Sequence, residues 1–367
     1  MSAARHAAAV LALAAVAGFV APAAAQGPTP LTPPAAQEAS PPAARPAPKP
    51  AAPRRPAPPP AHVPPAAATP APALPAPSAS QREPDLAYGA FQRGQYMTAF
   101  SIATRRVEEQ KDVKAMTLLG ELYSNGLGVE RNDKKAAEWY RLGADRGDRE
   151  AMFALALLHL GGRLGAADRE QGAKLLAAAA KLGHLGAAYD LGLLYLEGQL
   201  FPQDFARAAE LFRGAAQAGS PEAQYALATL YKEGRGVAKD LGEAARLLAV
   251  AARADYTDAQ VEYAIALFNG AGVGRDEPTA AALLKKAARK GNPIAQNRLA
   301  NILAIGRGLP ADPVQAIKWH IVAKAGGVGD VPLDTFAQKQ APDIRTAAEK
   351  AAKPWLDAIK EARESRS

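Results

Sequence analysis

Small and apolar residues recur along this chain with a fixed long period. Ala115, Ala151, Ala187, Ala223, Ala259 and Ala295 stand 36 residues apart, without insertion or deletion. Apolar residues follow each Ala at offsets that fall on one face of an α-helix, as in Ala115/Leu119/Leu122/Tyr123 and Ala223/Leu227/Leu230/Tyr231. Gly126, Gly162, Gly198, Gly234, Gly270 and Gly306 close this first helix, because the left-handed backbone of a helix end favours a residue without Cβ. A short loop follows, often Gly-x-Gly-Val, and then an Asx column: Asn132, Asp168, Asp204, Asp240, Asp276 and Asp312. These residues are expected to cap a second helix, whose buried positions read Ala136/Trp139/Tyr140, Ala208/Leu211/Phe212/Ala215 and Ala244/Leu247/Leu248/Ala251. A further Gly ends most repeats (Gly147, Gly183, Gly219, Gly291, Gly327), with Asp255 in its place once. The pattern predicts six helix pairs over residues 112–330. A single pair cannot bury its own apolar face, so the pairs stack into an all-α, α/α solenoid.

The flanks differ. Residues 84–111 predict a shorter helix pair, with Tyr88, Gly89, Gly94, Tyr96 and Ala99 but no glycine loop, and residues 331–367 predict charged capping helices. Ala7–Val20 is an apolar run after Arg5 and His6, followed by Pro22 and the small-residue stretch Ala23-Ala24-Ala25. Residues 1–25 therefore read as a secretory signal peptide, with an uncleaved membrane anchor as the alternative. Residues 26–83 form a Pro/Ala-rich linker, with 20 prolines between 28 and 77. Such a composition cannot bury a core and is expected to be extended. Export with a periplasmic destination is the expectation, and secretion or anchoring are the alternatives.

Composition removes several function classes. The chain has no cysteine, which excludes disulfides, thiolate zinc sites and a thiol nucleophile. The net charge of +8 invites a nucleic-acid reading, but half of it lies in residues 1–80. The rest is mixed in sign rather than a basic stripe, so no nucleic-acid partner is expected.

Candidate chemistry is sparse. Gly270-Ala271-Gly272-Val273-Gly274 imitates a phosphate-binding run, but it occupies the loop column of the repeat and no strand precedes it. His159 and His320 replace aromatic residues of helix columns, and His184 falls in a helix–helix turn; none has partners at metal-ligand spacing. The Asp column would lie about 10 Å apart between stacked helices, too far for a shared metal or a catalytic pair. No cofactor, metal site or catalytic residue is expected.

The stretch Ala115–Tyr140, read as Ala-x-x-x-Leu-Gly-x-x-Tyr-x-x-Gly-x-Gly-Val-x-x-Asx-x-x-x-Ala-x-x-Trp-Tyr, resembles the Sel1-like repeat, a relative of the tetratricopeptide repeat. The resemblance covers residues 115–330 as six units. Leu164 and Leu200 depart from it where the second loop Gly belongs, so those two loops are expected to differ. It implies a right-handed solenoid and a non-enzymatic adaptor for protein complexes, some exported members acting in envelope or exopolysaccharide regulation. An envelope enzyme or glycan-binding module, and a self-associating oligomer, are the alternatives.

The resemblance also implies which side would bind. Offsets 2, 6 and 9 from each Ala lie opposite the core face of the first helix, and in the tetratricopeptide fold that side lines a concave groove. Here it is polar in repeat 1 (Thr117, Glu121, Ser124) and apolar in repeats 2 and 3 (Phe153, Leu157, Leu160; Tyr189, Leu193, Leu196). It is mixed in repeat 4 (Tyr225, Thr229, Lys232), apolar in repeat 5 (Val261, Ile265, Phe268) and polar again in repeat 6 (Asn297, Asn301, Ala304). The partner-binding candidates are Phe153, Leu157, Tyr189, Leu193, Tyr225, Lys232, Ile265 and Phe268, for a protein or peptide. The competing expectation is that these columns pack between neighbouring first helices; the polar ends argue against packing alone.

Overall fold

The structure is a computed structural model and describes residues 85–365. The expected signal peptide and linker lie outside the described residues. Among the described residues there are 16 helices and no strand. A short pair, α1 (Leu86–Gln92) and α2 (Tyr96–Gln110), comes first. Six repeats follow. Their first helices are α3 (Val113–Asn125), α5 (Arg149–Leu160), α7 (Leu185–Glu197), α9 (Pro221–Glu233), α11 (Thr257–Asn269) and α13 (Pro293–Ile305). Their second helices are α4 (Asp133–Ala144), α6 (Arg169–Lys181), α8 (Phe205–Gln217), α10 (Leu241–Arg253), α12 (Glu277–Arg289) and α14 (Pro313–Ala325). The chain closes with α15 (Val331–Gln338) and α16 (Pro342–Glu364). Each helix from α1 to α14 packs on the next, α15 lies against α13 and α14, and α16 returns to cover α14.

Local chemistry sets the helix ends. All six Asx side chains accept the backbone N–H three residues on, at 2.8–3.0 Å, which satisfies one orphan donor per second helix. Gly126, Gly198, Gly234, Gly270 and Gly306 cap their helices at φ between 67° and 74°. Gly162 has the same left-handed backbone, but α5 ends at Leu160 and Gly161 is its cap. Asp255, which replaces the repeat-end glycine, also takes a left-handed φ of 69°. Its carboxylate receives Lys286, Lys290 and the Gln260 amide at 2.6–2.8 Å, a set of contacts that a glycine could not make.

The second loop glycine has a separate reason. A Cβ on Gly272 would fall on the Leu241 carbonyl, and one on Gly236 on the Phe205 carbonyl. These loops lie flat against the start of the preceding repeat's second helix. Leu164 and Leu200 cannot follow that path and hold a negative φ. In repeat 2, the Arg163 guanidinium pairs with Asp133 at the start of α4 and donates to the Ser124 carbonyl at 2.7 Å, and Arg307 pairs likewise with Glu277 in repeat 6.

The core mixes small residues with several large side chains per layer, and one of these, on the second helix, stands opposite a small residue of the first. Phe212, Leu227, Leu230, Leu247 and Leu248 share one cluster across repeats 3 and 4. The size of that large side chain matches the residue it meets. Gly120 faces the Tyr140 ring and Gly192 the Phe212 ring, each within 2.5 Å of where a Cβ would stand. The same columns hold Ala156/Leu176, Ala228/Leu248 and Ala264/Leu284, smaller partners that leave room for the methyl group. Three buried glutamines add a polar tie between repeats. Gln224, Gln260 and Gln296 donate to the carbonyls of Ala216, Ala252 and Ala288 on the preceding second helix.

Candidate functional site

The candidate site is the first-helix face, offsets 2, 6 and 9. Offset 2 sits against the start of the next first helix, where it meets the residue that caps that helix in several repeats. Thr117 Oγ1 donates to Asp148 Oδ2 at 2.5 Å. Phe153 stacks on His184 with ring centroids 4.2 Å apart. Tyr225 packs on Tyr256 at 5.5 Å. In repeat 6, Asn297 and Asn301 both donate to Asp330, the cap of α15, at 3.1 and 3.0 Å. The chemistry of offset 2 therefore tracks its partner: hydroxyl to carboxylate, ring to ring, amide to carboxylate.

This overturns one inference from the sequence. The polar ends of the face do not argue against packing; they are packing, with hydrogen bonds in place of apolar contact. Tyr189 is 3% exposed and Val261 is buried as well, so these two side chains belong to the core. The Tyr189 ring lies 5.6 Å from that of Phe212. Lys232 is not a free binding cation, because it pairs with Glu262 at 2.9 Å. Phe153, Leu157, Leu193, Tyr225, Ile265 and Phe268 are half-buried. The Phe268 ring is covered by the Arg307 guanidinium at 4.5 Å.

Phe153 and Leu157, half-buried on repeat 2, border a cavity of about 620 Å³. Phe153, Leu157, Leu158 and Leu185 supply apolar lining, and Tyr189 contributes to it as well. The turn Gly219-Ser220-Pro221-Glu222 borders one end; Ser124, Asn125, Tyr140 and Arg163 border the other. The cavity thus joins repeats 1 to 4. Three of the sequence candidates, Phe153, Leu157 and Tyr189, meet there; Leu193, Tyr225, Lys232, Ile265 and Phe268 are not part of its lining. Sequence reasoning missed Arg163, which stands in a loop, and Glu222, which stands in a first turn.

The electrostatics of this face are acidic. Asp190 and Glu222 border the cavity, and Asp258 and Glu262 continue the face. Burial pushes the Asp258 carboxyl above its ordinary range, with the Glu262 charge adding to it. Burial likewise raises the Glu121 carboxyl. The Tyr189 phenol is pushed up by burial first and then by the charges of Asp190, Glu222 and Asp258. Among the described residues, no group of three or more His, Asp or Glu side chains has a metal-holding arrangement. No described helix is long and apolar enough to cross a membrane.

Six successive segments, 113–148, 149–184, 186–220, 221–256, 257–292 and 293–328, match the family model of the Sel1 repeat. They make up more than half of the chain, which belongs to the Sel1-repeat family. Sel1 repeats generally mediate protein–protein binding, and proteins built from them are typically non-enzymatic scaffolds. The fold is similar to that of a Sel1 repeat protein from Oxalobacter formigenes, at 27% identity and a TM-score of 0.58, over 65% of this chain and 95% of that one. It is also similar to c5321, a protective antigen of uropathogenic Escherichia coli strains, at 26% identity and a TM-score of 0.52, over 78% of this chain and 72% of that one. Among curated protein sequences no match is found.

Proposed function

We propose that this protein is an exported adaptor that binds a protein or peptide partner through the first-helix face of repeats 1 to 4, without chemistry of its own. One observation carries the reading: a cavity of about 620 Å³ whose walls come from several repeats, not from one. Apolar walls with a few polar groups are the common composition of a docking pocket. Its placement outside the cytoplasm rests on the apolar run Ala7–Val20 and the small residues that follow it. A role in envelope or exopolysaccharide regulation fits that placement.

A photo-crosslinking amino acid at Leu157, in the full chain and its native host, tests the reading. One dominant protein adduct, not formed from the same probe at the exposed Glu210 of α8, is expected. Self-adducts alone would move the assignment to a homo-oligomer. No adduct at either position would overturn the adaptor reading.

A further inference from the structure

The second helices of repeats 4 to 6 gather positive charge that takes no part in the cavity. Arg253 closes α10, Lys285 and Arg289 stand one turn apart on α12, and Lys318 stands on α14. Their neighbours Lys286 and Lys290 are committed to Asp255, at 2.7 and 2.6 Å. The Asp255 carboxyl is accordingly held well below its usual range, first by Lys286, then by Lys290 and Gln260. The acids in the first turns of α10 and α12 are committed as well: Glu243 to Arg246, and Glu277 to Arg275 and Arg307. Among the described residues, no carboxylate stands within ion-pair distance of Arg253, Lys285, Arg289 or Lys318. The half charge of a helix C-terminus offsets only part of this. Lys318 is the most constrained of the four. Its ammonium lies over the Trp319 ring at 4.3 Å and faces Trp355 at 5.5 Å, and the two rings meet edge to face at 4.9 Å. Burial lowers the Lys318 pKa, and the charge of Arg289 adds to this. An anion placed between these two like charges would relieve their repulsion.

We propose that the second helices of repeats 4 to 6 dock an acidic segment of a partner protein, with an Asp or Glu carboxylate on Arg289 and Lys318 and further ones on Lys285 and Arg253. This surface is separate from the first-helix face and adds a second contact to the chain. Three neighbouring helices span about 20 Å, which an extended segment of about six residues covers. Neither α12 nor α14 exposes a large apolar side chain. The surface therefore offers charge, without the apolar anchors that enter a lipid layer, and a protein segment fits it better than a membrane. Fixed cations of one sign also draw an acidic segment in from a distance.

The probe is a fluorescent ten-residue peptide of alternating Glu and Ser, with a second peptide in which every Glu is Lys. Binding to the full chain is read by anisotropy at low and at raised salt. Saturable binding of the acidic peptide alone, weakened by salt, is expected. The double variant Arg289→Gln/Lys318→Gln should lose about tenfold in affinity. A control, Lys174→Gln/Arg207→Gln, removes the same charge from α6 and α8 and should bind as the parent does. In a Trp139→Phe chain the remaining tryptophans, Trp319 and Trp355, report the site directly. The acidic peptide should shift their emission, and Lys318→Gln on that background should abolish the shift. Equal losses in the site and control variants would overturn the proposal, because net charge alone would then hold the peptide. So would equal binding of the basic peptide, or no binding up to about 1 mM. Binding to phosphatidylglycerol vesicles without binding of the peptide would also overturn it and assign the surface to a membrane. The two peptides are compared on the parent chain, so a variant that folds poorly does not decide the outcome. The crosslink at Leu157 reads the first-helix face, so the two proposals stand or fall separately.

Discussion

His184 lies flat on Phe153, with 4.2 Å between ring centroids and 27° between planes, while its Nδ1 accepts the Ala187 N–H at 2.9 Å. Its Nε2 faces Glu150 at 3.0 Å and carries the proton in the neutral tautomer that this cap requires. One side chain thus caps α7, ties repeat 2 to repeat 3 and holds the wall of the cavity. His184→Ala removes the cap and the stack together and should cost about 1–2 kcal/mol. His184→Asn restores the cap, as Asn292 provides it in repeat 6, and should cost less. Urea unfolding followed by circular dichroism separates the two. Equal losses would mean that the cap contributes nothing.

Gly192 and Phe212 are sized to each other. Gly→Ala in a helix interior ordinarily stabilises by about 1 kcal/mol, through propensity. Here the new methyl would stand 2.5 Å from the ring, and Gly192→Ala should instead cost about 1–3 kcal/mol. Phe212→Leu on that background recreates the Ala/Leu pairing of repeats 2, 4 and 5 and should recover part of the loss. A double-mutant cycle reads the coupling directly. Strict additivity would show that ring and methyl do not compete.

The loop glycines are not equivalent. Gly272 has φ +71° and no room for a Cβ beside the Leu241 carbonyl, whereas nothing lies within 4 Å of a Cβ on Gly274. Gly272→Ala should destabilise by more than about 1 kcal/mol, and Gly274→Ala should stay within about 0.5 kcal/mol of the parent. Thermal unfolding of the two variants side by side is sufficient.

Core and cavity wall are distinguished by truncation. Tyr189→Ala removes a buried ring and should cost about 3–5 kcal/mol. Leu157→Ala removes a half-buried wall residue and should cost about 1 kcal/mol, with a larger effect on partner binding than on stability. Comparable stability losses at both positions would make the cavity wall part of the core.

Glu121 gives a pH signature. Burial raises its carboxyl in the folded chain, so the folded state takes up the proton before the unfolded one. Above the raised pKa the buried charge is a destabilising term. It is relieved as pH falls through that pKa toward the ordinary carboxylate value of about 4.3. Glu121→Gln should therefore unfold at a higher temperature than the parent at pH 7, with the difference closing as the pH is lowered into the carboxylate range. A gap that widens on acidification would mean that the charge is stabilised in the folded chain.

The sequence by itself determined what is decided within a few residues. The Asx caps bond three residues on, the closing glycines need only their own left-handed φ, and the apolar offsets need only 3.6 residues per turn. These local rules, repeated six times, were enough to define the α/α solenoid. Even Asp255, the departure in the glycine column, takes the same backbone conformation as the glycines it replaces.

The tertiary structure decided what covers the first-helix face. Helical periodicity says that Thr117, Phe153, Tyr225 and Asn297 point away from the core stripe, not which residue some thirty positions on will meet them. Only the stacking of the next repeat brings Asp148, His184, Tyr256 and Asp330 to those places. The polar ends of the face were visible as letters and were misread, because their hydrogen-bond partners come from other helices. The cavity is lined by residues of repeats 1 to 4 that do not share one column, such as Arg163 in a loop and Glu222 in a first turn. A repeat pattern averages such differences away, and side-chain packing between non-identical neighbours turns them into a site.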